Sequence, residues 1–247
     1  MIKLLVLLIA IGTATAVTKV PVTIYYETLC ADSMAFFTKQ FEPTWRQLNN
    51  YIDLELVPFG KSSYTPLNNP GAFPQIPGAV VSSKNWTCHH GPNECIGNRF
   101  QSCLIDPSTN ANLDAKITLI NCLMQKATKE TPYDATALQC NLEKPTGMEI
   151  ASLVACAHTQ KGEDLFEANG RKTALLQPPL TSVPTVVFNR SFNKADSDAA
   201  VSSFKSALCS RITDNPKPKE CDSANGASSI TFSLISVLTA GLIIHQL

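Results

Sequence analysis

Charged residues are scarce in this chain, and neither sign is in excess. Asp, Glu, Lys and Arg make up 16% of the 247 residues, as 20 basic and 20 acidic side chains. Proteins that bind nucleic acid normally carry a basic surplus that neutralises phosphates, so the composition argues against a DNA or RNA partner. Hydrophobic residues reach 44%, which excludes a disordered polyelectrolyte and supplies a core for one large domain or two small ones.

The N-terminal end lacks an apolar run long enough to cross a bilayer. A short basic start precedes the apolar residues 4–12, and small residues suited to a cleavage site follow at 14–16. This pattern is typical of a secretory signal peptide, so we expect residues 1–16 to be removed. Glycosylation sequons that begin at Asn85 and Asn189 are consistent with secretion.

The C-terminal end is apolar over residues 230–247, about 27 Å if helical, which is marginal for a bilayer. It has no Lys or Arg of the kind that normally stops a membrane anchor, and its only titratable side chain is His245. The small residues 223–229 resemble the cleavage region of a GPI signal, with Ser223 as the attachment site. We expect residues 222–247 to be a GPI signal, with a plain membrane anchor or an unprocessed or removed tail as alternatives.

Runs of β-branched and aromatic residues predict strands at 20–27, 52–59 and 185–189. Between the first two strands, apolar residues recur at three- and four-residue intervals from Ser33 onward, which predicts a helix that Pro43 should bend. The apolar positions of this helix are Met34, Phe37, Phe41, Trp45 and Leu48. The order strand, helix, strand favours a βαβ unit with parallel pairing.

Residues 63–177 differ in character from the strands on either side. A stretch rich in Pro, Asn and Gly at 62–77 predicts a loop, and a cysteine-dense segment follows it. Apolar periodicity then predicts mainly helices, so we interpret this region as a helical insertion. The helices predicted from residue 113 onward lie at 113–127, 134–142, 148–159 and 195–211.

Nine cysteines are an odd number, so in an oxidising compartment at least one must be unpaired or intermolecular. Cys30 follows the first strand and opens the first helix, where unpaired backbone N–H groups and the helix dipole stabilise a thiolate. We therefore expect Cys30 to be the free, reactive thiol, the alternative being a structural half-cystine. The other eight are expected to form four disulfides whose pairing the sequence leaves open: Cys88, Cys95, Cys103, Cys122, Cys140, Cys156, Cys209 and Cys221.

Ser33 and Pro184 are the other two candidate residues of an active site. Ser33 stands where a Cys-x-x-Cys pair has its second cysteine. Its hydroxyl could donate a hydrogen bond to a Cys30 thiolate, but it cannot attack a mixed disulfide and release the substrate. Pro184 enters the last strand, where thioredoxin-like folds have a cis-proline whose loop lies against the reactive cysteine. We expect a cis bond here, the alternative being an ordinary trans proline.

A zinc site is the competing interpretation of the cysteine-dense segment. The spacing matches no common zinc finger, and an oxidising lumen favours disulfides, so we expect no metal and no cofactor. The residues of this alternative site would be Cys88, His89, His90 and Cys95.

Residues 88–103 resemble the signature of the gamma-interferon-inducible lysosomal thiol reductase family. Residues 25–30 and 182–184 are also similar to that family's active-site strand and cis-proline loop. The resemblance implies an α/β, thioredoxin-like fold, with residues 17–62 and 178–213 as its core and residues 63–177 as a disulfide-rich helical insertion. The matching signature positions are Cys88, His90, Gly91, Glu94, Cys95, Asn98 and Cys103.

The resemblance further implies a thiol-disulfide oxidoreductase that acts on endocytosed proteins in acidic compartments. We accordingly expect a location in the secretory pathway, either lysosomal or extracellular, with disulfide-containing proteins and a small-thiol reductant as partners. Most members have a cysteine at the position of Ser33, so this chain would use Cys30 alone. A thiol-dependent binding or retention protein and a redox-inert member of the family are the alternatives.

Overall fold

The computed structural model of this chain describes residues 17–67 and 84–224. The expected signal peptide and the apolar residues 230–247 lie outside this part of the chain. Within it, no helix is both long enough and apolar enough to cross a membrane. The strands are β1 (Val20–Tyr26), β2 (Ile52–Pro58), β3 (Ser63–Pro66), β4 (Lys84–Thr87) and β5 (Thr185–Phe188). The helices are α1 (Ala31–Phe36), α2 (Glu42–Leu48), α3 (Pro92–Ile105), α4 (Leu113–Lys126), α5 (Tyr133–Glu143), α6 (Ile150–Ala157), α7 (Gln160–Ala174), α8 (Lys194–Ser202) and α9 (Phe204–Cys209).

The three strands predicted from the sequence assemble into one sheet with β1 at its centre. β2 runs parallel to β1, with Val20 opposite Ile52, which confirms the predicted βαβ pairing. β5 runs antiparallel on the other side of β1, with Val22 opposite Phe188. Residues 27–29, which follow β1 and lead to Cys30, are called the reactive loop below. Because β1 is central and buried on both faces, this loop starts from a fixed position.

The helix between β1 and β2 accommodates Pro43 by changing its winding. Residues Phe37–Phe41 form a π-helical turn between α1 and α2, and Pro43 lies in the first turn of α2. Proline has no N–H group, and in a regular α-helix its ring would clash with the carbonyl group of Lys39. The wider turn just before Pro43 is a known way to insert such a residue into a continuous helix.

The insertion is helical, as predicted, although its details differ from the sequence analysis. Two helices, α3 and α7, were not predicted, and the expected loop at 62–77 begins with β3, which pairs antiparallel with β4. The helix expected at 195–211 is divided into α8 and α9 at Ser203. The buried face of α3 includes polar side chains, so apolar periodicity gives little sign of this helix.

The sheet and the insertion share one hydrophobic core. Ile24 and Tyr26 of β1 belong to the same buried cluster as Phe100 of α3 and Leu123 of α4. The opposite face of the sheet is covered by a smaller cluster that includes Leu176. Because each fully buried aromatic or aliphatic side chain contributes about 1.5–3 kcal/mol, the insertion and the strands stabilise one another.

Four disulfides involve all the cysteines of the described residues except Cys30, which carries a free thiol. Two of these disulfides each join a pair of helices, and a third joins α9 to a C-terminal 3-10 turn (Lys219–Ala224). The fourth closes the turn before α3. Since Cys88 and Cys95 are bonded to each other, neither sulfur is available to the alternative zinc site. The pairs are Cys88–Cys95, Cys103–Cys156, Cys122–Cys140 and Cys209–Cys221.

Candidate active site

Cys30 lies at the start of α1, four residues after the buried end of β1. Its backbone is extended (φ −73°, ψ 122°), and its carbonyl oxygen accepts the first helical hydrogen bond from Met34 N–H at 2.9 Å. The side chain is partly exposed. A thiol at this point is accessible to another protein.

The loop before β5 closes one side of the cysteine. The Sγ atom of Cys30 lies 3.8 Å from the carbonyl oxygen of Val183. The Val183–Pro184 peptide bond is cis, which confirms the prediction made for this proline. Folding therefore brings together two candidate residues that are 154 positions apart in the sequence, Cys30 and Pro184.

Ser33 lies one helical turn after Cys30 and is completely buried. Its hydroxyl oxygen accepts a hydrogen bond from the N–H group of Glu27 at 3.4 Å. Within the described residues, Ser33 donates no hydrogen bond to Cys30, so the expected contact between hydroxyl and thiol is not formed. The side chain instead contacts the backbone of the loop that leads to Cys30.

One face of α3 holds residues 26–29, a segment that consists of the last residue of β1 and the loop leading to Cys30. Three polar side chains at positions 94, 98 and 101 follow the i, i+4, i+7 spacing of a single helical face. Each accepts a hydrogen bond from a different residue of the segment. The bonds run from Leu29 N–H to Glu94 Oε2 (3.2 Å), from Thr28 N–H to Asn98 Oδ1 (3.0 Å) and from Tyr26 O–H to Gln101 Oε1 (2.6 Å).

Gly97 allows this close approach between α3 and the reactive loop. A Cβ atom at this position would lie 2.5 Å from Thr28 Oγ1 and 2.5 Å from the ring of Tyr133, which is too close for real contacts. The hydroxyl of Thr28 also donates to Asn98 Oδ1 at 2.9 Å. The spacing of Glu94, Asn98 and Gln101 is the one sign in the sequence that these three residues share a helical face, and their contacts with the loop were not predicted.

The buried tyrosines beside this loop act as neutral groups. Burial raises the pKa of Tyr26 well above its usual value, with a further contribution from Tyr133, and burial also raises the pKa of Tyr133. Gln101 joins them, because its Nε2 donates to the hydroxyl of Tyr133 at 2.7 Å. This chain of hydrogen bonds fixes the end of β1 against the insertion.

Two buried carboxylates lie on either side of the same loop, close to two histidines. Glu27 and Glu94 have fully buried side chains. His90 Nδ1 lies 2.6 Å from Glu94 Oε2 and 3.3 Å from Glu27 Oε2, and His89 Nδ1 lies 3.4 Å from Glu27 Oε2. The structure thus places both histidines of the alternative zinc site against carboxylates rather than beside free cysteines.

A groove of about 510 Å³ adjoins the loop of Pro184. One wall comes from α1 and the π-helical turn after it, through residues such as Asp32 and Lys39, and the other comes from Val183, Pro184 and α8. Its walls carry side chains of both charges, and Cys30 itself is not among the lining residues. A second cavity of about 520 Å³ lies between β2 and α7 and is not lined by Cys30, Ser33 or Pro184.

Both predicted glycosylation sites lie on the protein surface. Asn85 is exposed in β4, and Asn189 is exposed directly after β5. An oligosaccharide at either residue would extend into solvent.

Comparison with known proteins identifies relatives over most of the chain. The family model described as gamma interferon inducible lysosomal thiol reductase matches residues 21–144, which include Cys30 and residues 88–103. GILT-like protein 1 of Drosophila melanogaster is 34% identical over 241 residues, covering 94% of this chain and 90% of that protein. The gamma-interferon-inducible lysosomal thiol reductase-like protein of Anopheles gambiae is 34% identical over 247 residues, covering 96% and 94%.

A solved structure shows a similar fold. DsbA from Chlamydia trachomatis superposes with a TM-score of 0.51 at 11% sequence identity, covering 78% of this chain and 90% of that protein. At this identity the likeness concerns the fold alone. It confirms the thioredoxin-like α/β fold that the sequence predicted.

Proposed function

Because this chain belongs to the gamma-interferon-inducible lysosomal thiol reductase family, we propose that it reduces or isomerises protein disulfides through the single thiol of Cys30. The observation that carries the proposal is the position of this thiol. It is free, partly exposed and 3.8 Å from the carbonyl oxygen that precedes Pro184. Ser33 follows one helical turn later, at the sequence position where a Cys-x-x-Cys pair has its second cysteine.

The first chemical step is an exchange of one disulfide for another. The Cys30 thiolate attacks one sulfur of a substrate disulfide, a bond forms between Cys30 Sγ and that sulfur, and the substrate S–S bond breaks. The second substrate sulfur leaves as a thiolate and takes a proton from solvent. The groove lined by α1 and the Pro184 loop would hold the substrate chain during this step.

The second step needs a thiol from outside the active site, because the Ser33 hydroxyl does not attack disulfides. A small thiol attacks the substrate sulfur of the mixed disulfide, which regenerates the Cys30 thiolate. A second small thiol then completes the reduction, so that two small thiols become one small disulfide and supply both electrons. If a thiol of the substrate attacks instead, the substrate is isomerised without net reduction.

The proposal includes a location in the lumen of the secretory pathway, in lysosomes or outside the cell. The expected signal peptide, the four disulfides and the two exposed sequons support it. Attachment to a membrane through residues 222–247 is part of the same proposal. The partners would be disulfide-containing proteins and a small thiol.

A second candidate function is supported by Ser33. Without a resolving thiol, the mixed disulfide between Cys30 and a partner has no intramolecular route of release. The chain would then retain a partner covalently rather than turn it over. The lifetime of the mixed disulfide in the presence of a small thiol distinguishes the two functions.

Alkylation followed by peptide mapping and activity measurement tests the proposal. We expect Cys30 alone to be alkylated in the native protein, and Cys30→Ser to abolish reduction of a protein disulfide at acidic pH. A mixed disulfide that persists through an excess of small thiol would favour retention. An unreactive Cys30 would refute both candidates and favour a redox-inert protein. A Cys30→Ser variant that reduces disulfides as fast as an active wild type would refute the role of Cys30 in reduction.

A further inference from the structure

Three side chains with metal-binding atoms converge beside the loop that leads to Cys30. They are Glu27, at the end of β1, and the adjacent residues His89 and His90. Their ligand atoms all lie within 4.8 Å of one another. The group contains no sulfur, so it differs from the zinc site considered from the sequence.

The carboxylate of Glu27 has one oxygen that the protein leaves without a hydrogen bond. Its Oε1 accepts from Lys61 N–H at 2.7 Å, whereas Oε2 is buried and has no hydrogen-bond donor within the described residues. The ion pairs of Glu27 in this part of the chain run only to His89 and His90. A buried carboxylate oxygen without a donor is costly, and a cation bound between it and the two histidine nitrogens would remove that cost.

Two of the three distances between ligand atoms agree with tetrahedral coordination. Ligands about 2.0–2.1 Å from a tetrahedral zinc ion lie about 3.3 Å from one another. Glu27 Oε2 is 3.4 Å from His89 Nδ1 and 3.3 Å from His90 Nδ1. We propose that Glu27, His89 and His90 bind a divalent transition metal ion of the zinc class.

Glu94 would support this site without being required as a ligand. Its Oε2 lies 2.6 Å from His90 Nδ1 and also accepts from Leu29 N–H, and its Oε1 accepts from His90 N–H at 3.0 Å. When the ion binds His90 Nδ1, the proton on that nitrogen is released to solvent. To admit the ion, Glu94 Oε2 must move away from His90 Nδ1, and the negative charge of this carboxylate then lies beside the ion.

The bound ion would connect the reactive loop to the turn that Cys88–Cys95 closes. His89 is half exposed, which gives the ion a route from solvent and leaves a coordination position for water. The inference does not depend on the proposed function, because a chain without reductase activity would still bind the ion. Failure of one therefore leaves the other intact.

Metal titration of the full protein, with any affinity tag removed, tests the proposal. After treatment with a chelator, zinc is added in competition with a chromophoric chelator, and cobalt is used to record the visible spectrum. We expect one ion per chain, a spectrum of nitrogen and oxygen ligands without a thiolate charge-transfer band, and a higher melting temperature with zinc. His89→Ala and Glu27→Gln should each weaken binding about tenfold or more and abolish the thermal shift.

Two further variants serve as controls. His158 also pairs with a carboxylate, Asp134 at 2.7 Å, but in an exposed ion pair elsewhere, so His158→Ala should bind zinc like the wild type. Cys30→Ser should do the same. Glu27→Gln retains an oxygen for Lys61 N–H, and His89 is half exposed, so melting curves without metal can verify that both variants fold. Wild-type affinity in both His89→Ala and Glu27→Gln, or loss of binding in Cys30→Ser, would overturn the proposal.

Discussion

The buried carboxylate of Glu94 accepts a hydrogen bond from the backbone N–H group of Leu29 at 3.2 Å, one residue before Cys30. Glu94 precedes Cys95, and the Cys88–Cys95 disulfide holds the turn from which α3 begins. Through this bond, the insertion sets the position of the reactive loop. The family signature at residues 88–103 does not include Cys30. Through Glu94, it nevertheless helps to position the loop that leads to Cys30.

Removal of the Glu94 side chain should disturb both the active site and the fold. Glu94→Ala leaves the N–H groups of Leu29 and His90 without their acceptors, at a cost of about 1–3 kcal/mol for each group that stays buried. Misplacement of the loop should lower the rate of disulfide reduction by about 10- to 100-fold. Chemical denaturation and a reduction assay measure the two effects. Glu143→Ala, on the exposed end of α5, is the control and should change neither; equal activity of both variants would contradict this role of Glu94.

Asn98 offers an independent test of the same contact surface. Asn98→Ala removes the acceptor for both the N–H and the hydroxyl group of Thr28, so we expect a loss of about 2 kcal/mol and faster hydrogen exchange at Thr28. Asn112→Ala removes the N-terminal cap of α4 and should cost about 1 kcal/mol without any effect on that exchange. Unchanged exchange at Thr28 in the first variant would refute the contact.

Gly97 should not tolerate even a methyl group. In Gly97→Ala, the added carbon would overlap Thr28 Oγ1 and the Tyr133 ring, so α3 must move away from the loop. We expect a loss of about 1–3 kcal/mol and slower alkylation of Cys30. Gly91→Ala is the control for backbone strain. Its added carbon meets no atom within 4 Å, so only the positive φ of 98° makes this substitution unfavourable. Equal alkylation rates in the two variants would argue against overlap at Gly97.

Ser33→Cys should convert a slow, externally resolved reaction into a faster dithiol reduction. A thiol at this position lies one helical turn from Cys30 and would meet the mixed disulfide at high effective concentration. We expect at least about a tenfold gain when the small thiol is limiting. The assay compares this variant with the wild type at acidic pH.

Ser33→Ala is the matched control for that experiment. It removes the hydroxyl oxygen that accepts a hydrogen bond from Glu27 N–H but introduces no thiol. The variant should therefore lose about 1 kcal/mol of stability and gain no activity. If Ser33→Cys also gains nothing, Ser33 does not occupy the resolving position. If the wild type and Cys30→Ser are equally inactive while Ser33→Cys gains activity, the natural chain functions in binding.

The C-terminal tail yields a separate prediction about attachment. Small residues precede an apolar end that lacks Lys and Arg, which is typical of a GPI signal. A phospholipase C specific for phosphatidylinositol should release the protein from membranes of cells that express the full chain. Detection of residues 230–247 in the membrane-bound protein by mass spectrometry would instead identify a plain anchor.

The sequence by itself determined the features that depend on local properties. An odd number of cysteines and the start of a helix identified Cys30, runs of β-branched and aromatic residues identified β1 and β2, and the 3.6-residue period identified α4. The same local signals missed α3, because the buried side of that helix includes Glu94, Asn98 and Gln101 rather than only apolar residues. A buried polar face has no apolar period for the sequence to reveal.

Only the tertiary structure decided which groups these polar residues bind. Glu94 is 65 residues from Leu29, and Asn98 is 70 residues from Thr28, so their pairing depends on how α3 packs across the end of β1. The four disulfide pairs, among 105 possible arrangements of eight cysteines, depend on the same packing. Hydrogen bonds and disulfides require atoms within a few ångströms of each other, and for residues so far apart in sequence that proximity is set by burial of the shared core.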